Sequence, residues 1–155
     1  MSFFSMSQYG LGVSSASQEL VACVQQIHNH TEDAIFFSWK TIVRHDLIEA
    51  YQNCSEQGWN GYDAAPITAQ TMLAGMTLLE LLPDCMMPEV TPEPTGKIGF
   101  LWEKSPSASF VIAVNPDSIA FAESIGSRKR HGETTFLSTL PDDIEKTLLD
   151  YFRRA

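Results

Sequence analysis

A chain of 155 residues has room for one hydrophobic core, and its 44 % hydrophobic content supplies that core without disulfide staples. Its net charge of −9 argues against nonspecific binding to nucleic acid, whose phosphates demand a basic face. No run approaches the roughly 18 apolar residues that span a bilayer, and the N-terminus lacks the basic start and apolar stretch of an export signal, so a single cytoplasmic domain without membrane contact is expected.

The first 13 residues read as a loose N-terminal segment. Ser15 with Gln18 forms a capping box that opens a helix through Leu20, Cys23, Val24 and Ile27. Thr31, followed by Glu32 and Asp33, starts a second helix, with acids where the helix dipole favours them. Ile35, Phe36, Trp39, Ile42, Val43, Leu47 and Ala50 give it a broad apolar side, Asp46, Glu49, Asn53 and Glu56 recur on its polar side, and Gly58 fits its stop. After the tight-turn pair Asn60-Gly61, Thr68 is the N-cap of a third helix through Leu73, Met76, Leu79 and Leu82, closed by Pro83.

From Pro88 the period changes to that of strands. Residues 88–94 (PEVTPEP) carry prolines and are expected to pair only as an edge strand. Residues 97–103 (KIGFLWE) alternate, with Ile98, Phe100 and Trp102 on one face. Residues 109–115 (SFVIAVN) are apolar throughout, as in a central strand covered on both faces. A turn at Asn115-Pro116-Asp117-Ser118 leads into a strand over 118–125, and a last strand is expected over 133–138. Pro141-Asp142-Asp143 opens a final helix along Ile144, Leu148, Leu149 and Phe152, with Arg153 and Arg154 at its end. Short connections favour an antiparallel meander. The fold class is therefore α+β: N-terminal helices, a four- to five-stranded antiparallel meander and a C-terminal helix.

The acidity is localised. Between His45 and Gly96 there is no Lys or Arg, yet Asp46, Glu49, Glu56, Asp63, Glu80, Asp84, Glu89 and Glu93 lie there. From Lys97 onward acids and bases balance. The one basic cluster, Arg128-Lys129-Arg130-His131, is expected in a loop between strands, where it could touch phosphates or meet an acidic patch on a partner or a second copy.

The segment Trp59-Asn60-Gly61-Tyr62-Asp63-Ala64 with Pro66-Ile67 resembles a W-[DN]-G-Y-x-A-x-P-I signature. The helix ending at Leu82-Pro83, the proline-rich strand with Gly96, and Phe100-Leu101-Trp102 follow it in the same succession. Over residues 58–154 this is similar to an uncharacterised family of small bacterial proteins. The resemblance implies a bacterial or phage source and one folded unit, and it brings no activity and no catalytic residues.

The loop from Trp59 to Pro66 has two readings. In one it is a structural corner, with Trp59 and Tyr62 packed on the sheet and Asp63 bonding loop amides. In the other it is a contact loop with Trp59, Asn60, Tyr62 and Asp63 as anchors, because rigid aromatics dominate binding hot spots. Cys23, Cys54 and Cys85 show no C-x-x-C spacing and read as reduced thiols rather than metal ligands. His28 and His30 with Glu32 and Asp33 read as solvated capping groups, and His45 with Glu49 as an exposed i, i+4 helix pair. No nucleophile elbow, phosphate-cradling loop or H-E-x-x-H motif occurs, and no cofactor is expected.

The leading expectation is a non-catalytic protein-interaction module, binding a protein partner or itself, as an accessory, antitoxin-like or immunity-like component. Its contact residues would come from the aromatic loop, from Asp46, Glu49 and Glu56, and from Arg128, Lys129 and Arg130. The alternatives are a phage-type inhibitor whose acidic surface occupies a nucleic-acid-binding site of a defence protein, which requires the carboxylates to converge, and an enzyme of unrecognised type, which requires a pocket with paired titratable groups.

Overall fold

The structure is a computed structural model that describes residues 38–154; the helix expected over 15–27 and the helix start at Thr31 lie outside the described residues. Helix α1 spans Trp39–Cys54 and buries Val43, Leu47 and Cys54 along one stripe. Ile42, expected on that stripe, is 54 % exposed. The helix stops at Cys54, short of Gly58, for a hydrogen-bonding reason. Continuation would send the Gly58 N–H to Cys54 O; instead Gly58 N–H bonds Ala64 O at 2.8 Å and Cys54 O takes the N–H of Ile67 at 2.8 Å.

Helix α2 spans Ala69–Leu81 and is capped as the sequence predicts, with the Thr68 hydroxyl accepting the Thr71 N–H at 3.1 Å. At its other end Lys40 donates to the carbonyls of Glu80 and Leu82, two of the acceptors a helix C-terminus leaves open. The two helices meet at Gly75, where an added Cβ would stand 3.1 Å from Leu47 Cδ2.

Five strands follow: β1 (Glu89–Pro92), β2 (Ile98–Ser105), β3 (Ala108–Val114), β4 (Ser118–Ile125) and β5 (Arg128–Thr135). They form one antiparallel meander in the order β1-β2-β3-β4-β5. Asn115 locks the β3–β4 turn, its Oδ1 accepting the N–H groups of Asp117 and Ser118 at 2.9 and 2.7 Å. Register places Ile98, Phe100 and Trp102 beside Val114, Ile112 and Phe110, with Ile119 next in line, and all seven are buried. Burying each such side chain contributes about 1.5–3 kcal/mol. On the opposite face of β3, Ser109 and Val111 are only half-buried, so the two faces of this strand are not covered alike.

Helix α3 spans Asp142–Arg154 and closes the buried face with Ile144, Leu148 and Tyr151. Its register is fixed by Tyr151, whose hydroxyl donates toward Ala108 O at 2.9 Å and Trp102 O at 3.2 Å. These carbonyls flank the place where a β-bulge at Glu103–Ser105 interrupts the β2–β3 ladder.

The last strand corrects the sequence reading. It lies at Arg128–Thr135, not over 133–138, so the cluster Arg128-Lys129-Arg130-His131 is strand rather than loop. A two-residue turn, Gly126-Ser127, leads into it directly, with Gly126 at φ 58°. The reason for the shift is Glu123, at 2 % exposure the buried carboxylate of β4, which requires a cation from the adjacent strand.

Candidate functional site

Residues 55–67 form a loop that closes on itself. Gly58, at φ +74°, begins a turn in which Gly61 N–H bonds Gly58 O at 2.9 Å. Inside the turn, Asn60 Oδ1 accepts the N–H groups of Tyr62 at 3.0 Å and Ala64 at 3.3 Å. Gln57 bridges to Asp63 O at 3.1 Å. Trp59 lies inward against the core and donates its indole N–H to Ala65 O at 2.9 Å, while Ala65 N–H bonds Pro94 O at 2.8 Å and ties the loop to the β1–β2 turn. The loop is thus hydrogen-bonded from both ends, and Ala64 and Ile67 anchor it in the interior.

This arrangement divides the expected roles. Trp59 packs toward the core and is hydrogen-bonded within the loop, Asn60 rather than Asp63 holds the loop amides, and Tyr62 is not packed on the sheet. Its side chain is 84 % exposed, the most exposed large apolar residue among those described. Asp63 is exposed beside it.

The acids of the middle third do not share one surface. Asp46, Glu49 and Glu89, with Asn53, line one groove of about 280 Å³ between α1 and β1. Glu80 is ion-paired with Arg44, which is turned about 200° around the helix from Asp46. Glu56 is exposed in the loop that follows α1, and Glu93 accepts the Thr95 hydroxyl within the β1–β2 turn. His45, Asp46 and Glu49 bring one imidazole and two carboxylates within 4.8 Å of one another on the exposed side of α1, a donor set open to water.

The basic cluster separates as well. Arg130 places Nε and Nη2 at 2.8 and 2.9 Å from the two oxygens of Glu123, and Arg128 Nε lies 3.7 Å from the same carboxylate. Two of the three cations expected to meet a partner are therefore engaged inside the fold. Lys129 and His131 are exposed.

A cavity of about 390 Å³ opens between β5 and the start of α3, floored by Phe121, Gly132 and Ile144. Its titratable side chains are the carboxylates Glu133, Asp142 and Asp143. Glu133 is bonded to Lys97 at 2.6 Å, which holds its pKa below the usual carboxylate range. Both described cysteines are shifted the other way: burial raises Cys54, and burial with the neighbouring Asp84 pushes Cys85 up to about 11, so both remain thiols at neutral pH. No helix among the described residues is long and apolar enough to cross a membrane.

No family model, curated protein or solved structure matches this chain.

Proposed function

We propose that the protein is a non-catalytic interaction module that engages a protein partner through the loop from Trp59 to Pro66, with Tyr62 as the anchor. The observation that carries this reading is the pairing of an 84 % exposed tyrosine with a backbone fixed by its own hydrogen bonds. An aromatic side chain on a rigid support loses little conformational entropy when buried, and that is what makes such residues hot spots. Asp63 beside it supplies a charge for orientation. The resemblance of this segment to a bacterial family favours a bacterial or phage setting, with an accessory, antitoxin-like or immunity-like role.

The test is affinity capture from the native cells, followed by quantitative binding of the captured partner to purified wild-type, Tyr62→Ala and, as a control at an exposed position of α3 outside the loop, Lys146→Ala proteins. A partner held equally by wild type and Lys146→Ala but at least tenfold more weakly by Tyr62→Ala supports the reading. Equal binding by all three overturns it.

A second reading rests on the groove that gathers Asp46, Glu49 and Glu89: an inhibitor that sets carboxylates against the Lys and Arg side chains of a nucleic-acid-binding site. Only three of the eight acids line this groove, which makes it the weaker of the two.

A further inference from the structure

The two edges of the sheet are built differently. β1 is four residues long, ends in Pro92, follows the buried Pro88, and has α1 packed on it. Short length, proline and a covering helix are the usual protections of a sheet edge. β5 has none of these three among the described residues and relies instead on the charges of Arg128, Lys129, Arg130 and Glu133: it is eight residues long, lacks proline, pairs with β4 residue for residue from Arg128 to Thr135 without a bulge, and has the start of α3 facing it across the cavity at Gly132, Glu133 and Thr134.

The hydrogen-bond phase of β5 shows what that edge offers. Phe136 N–H donates to Asp117 O at 3.0 Å, so positions 117 and 136 form a hydrogen-bonded pair. Antiparallel ladders alternate. Given the register, Arg128, Arg130, Gly132 and Thr134 therefore direct their backbone groups at β4, and Lys129, His131, Glu133 and Thr135 direct theirs away from the sheet. The side chains of these outward-bonding residues share one face, opposite Glu123 and Phe121.

We propose that this edge is a self-association surface, on which β5 pairs antiparallel with β5 of a second copy about a two-fold axis at His131. The register follows from two constraints. Continuing the sheet without inverting its faces requires opposed residues of equal parity, and a two-fold axis requires that the pairing be reciprocal. Centring on Arg130 sets that cation against its own copy and Lys129 against His131, and centring on Gly132 leaves Lys129 facing a threonine. Centring on His131 sets Lys129 against Glu133 of the second copy, and Glu133, whose Oε1 also holds Lys97 of its own chain, against that copy's Lys129. The outward backbone groups of all three residues then fall into hydrogen-bonded pairs at once. Charge complementarity thus selects one occupant and one register. The contact is a single ribbon of strand, so the dimer is weak and concentration-dependent.

Sedimentation equilibrium from micromolar to near-millimolar protein tests this. The wild type is expected to reach twice the chain mass. His131→Pro removes an N–H that faces away from β4, and it is expected to stay monomeric with an unchanged far-ultraviolet circular dichroism spectrum. Lys129→Glu alone and Glu133→Lys alone oppose like charges twice and are each expected to be monomeric. An equimolar mixture of the two restores both attractions and is expected to return to twice the chain mass. A wild type that remains monomeric throughout the range, a dimer that survives His131→Pro, or a mixture no more associated than its components overturns the proposal.

Discussion

Glu123 and Arg130 face each other across β4 and β5 as a two-pronged pair, with both carboxylate oxygens bonded at 2.8 and 2.9 Å and the carboxylate withdrawn from water. Breaking such a pair from one side costs more than removing it entirely, because the partner left behind is a buried charge. Arg130→Ala is expected to lower stability by about 2 kcal/mol, below the range for fully buried pairs because Arg130 is about one-third exposed and Arg128 stays near the carboxylate. Glu123→Leu combined with Arg130→Leu is expected to fall within about 1 kcal/mol of wild type. Urea denaturation of the single and double variants measures both.

Tyr151 links α3 to the interrupted ladder of β2 and β3. Tyr151→Phe is expected to cost about 1 kcal/mol, the ordinary net worth of a lost buried hydrogen bond. The residue also carries a pH signature. Burial, chiefly, raises its pKa in the folded state. The unfolded chain releases this proton near about pH 10, while the folded chain retains it to higher pH. The associated stability is thus complete below about pH 10 and declines as pH rises beyond it. Thermal unfolding followed from neutral to strongly alkaline pH is expected to show this decline in wild type and a shallower one in Tyr151→Phe.

Cys85 with a pKa of about 11 leaves about one part in a thousand as thiolate at pH 8. With Cys23→Ser as background, the two remaining thiols are expected to react with a disulfide reagent far more slowly in native buffer than in concentrated urea. Fast native modification would mean that Cys54 and Cys85 are not held as the structure places them.

The loop glycines separate conformation from space. An added Cβ at Gly58 would sit 2.7 Å from Tyr62 O, whereas one at Gly61 meets nothing within 4 Å, although both have positive φ. Gly61→Ala is expected to cost about 1 kcal/mol of backbone strain alone. Gly58→Ala is expected to cost about 2–3 kcal/mol, and to free Tyr62 from its fixed orientation, visible as faster tyrosine fluorescence depolarisation.

Much of the scaffold was legible from periodicity. The change of period at Pro88, the Thr68 cap and the β4 boundaries all follow from local chemistry that tertiary contacts reinforce. Where the reading failed, a distant contact decided the outcome. Helix α1 ends early because Cys54 O bonds Ile67, and β5 begins early because Glu123 is inside. The second case left a trace: in the run Ile119, Phe121, Glu123 the acid keeps the parity of two inward apolar residues, so a cation on the next strand was due. Tyr62 had no such trace. A tyrosine three residues after a core-packed tryptophan looks equally suited to core and surface, and the hydrogen bonds of Asn60 turn it outward.

Because the order of the strands in space repeats their order in the chain, every strand pair can close through a short loop. The entropic barrier to assembling this sheet is correspondingly small. Hairpins can form one after another like the teeth of a zip, while α3 must wait for β2 and β3 before Tyr151 has carbonyls to reach. Refolding experiments should therefore find sheet signals that precede protection of the C-terminal amides.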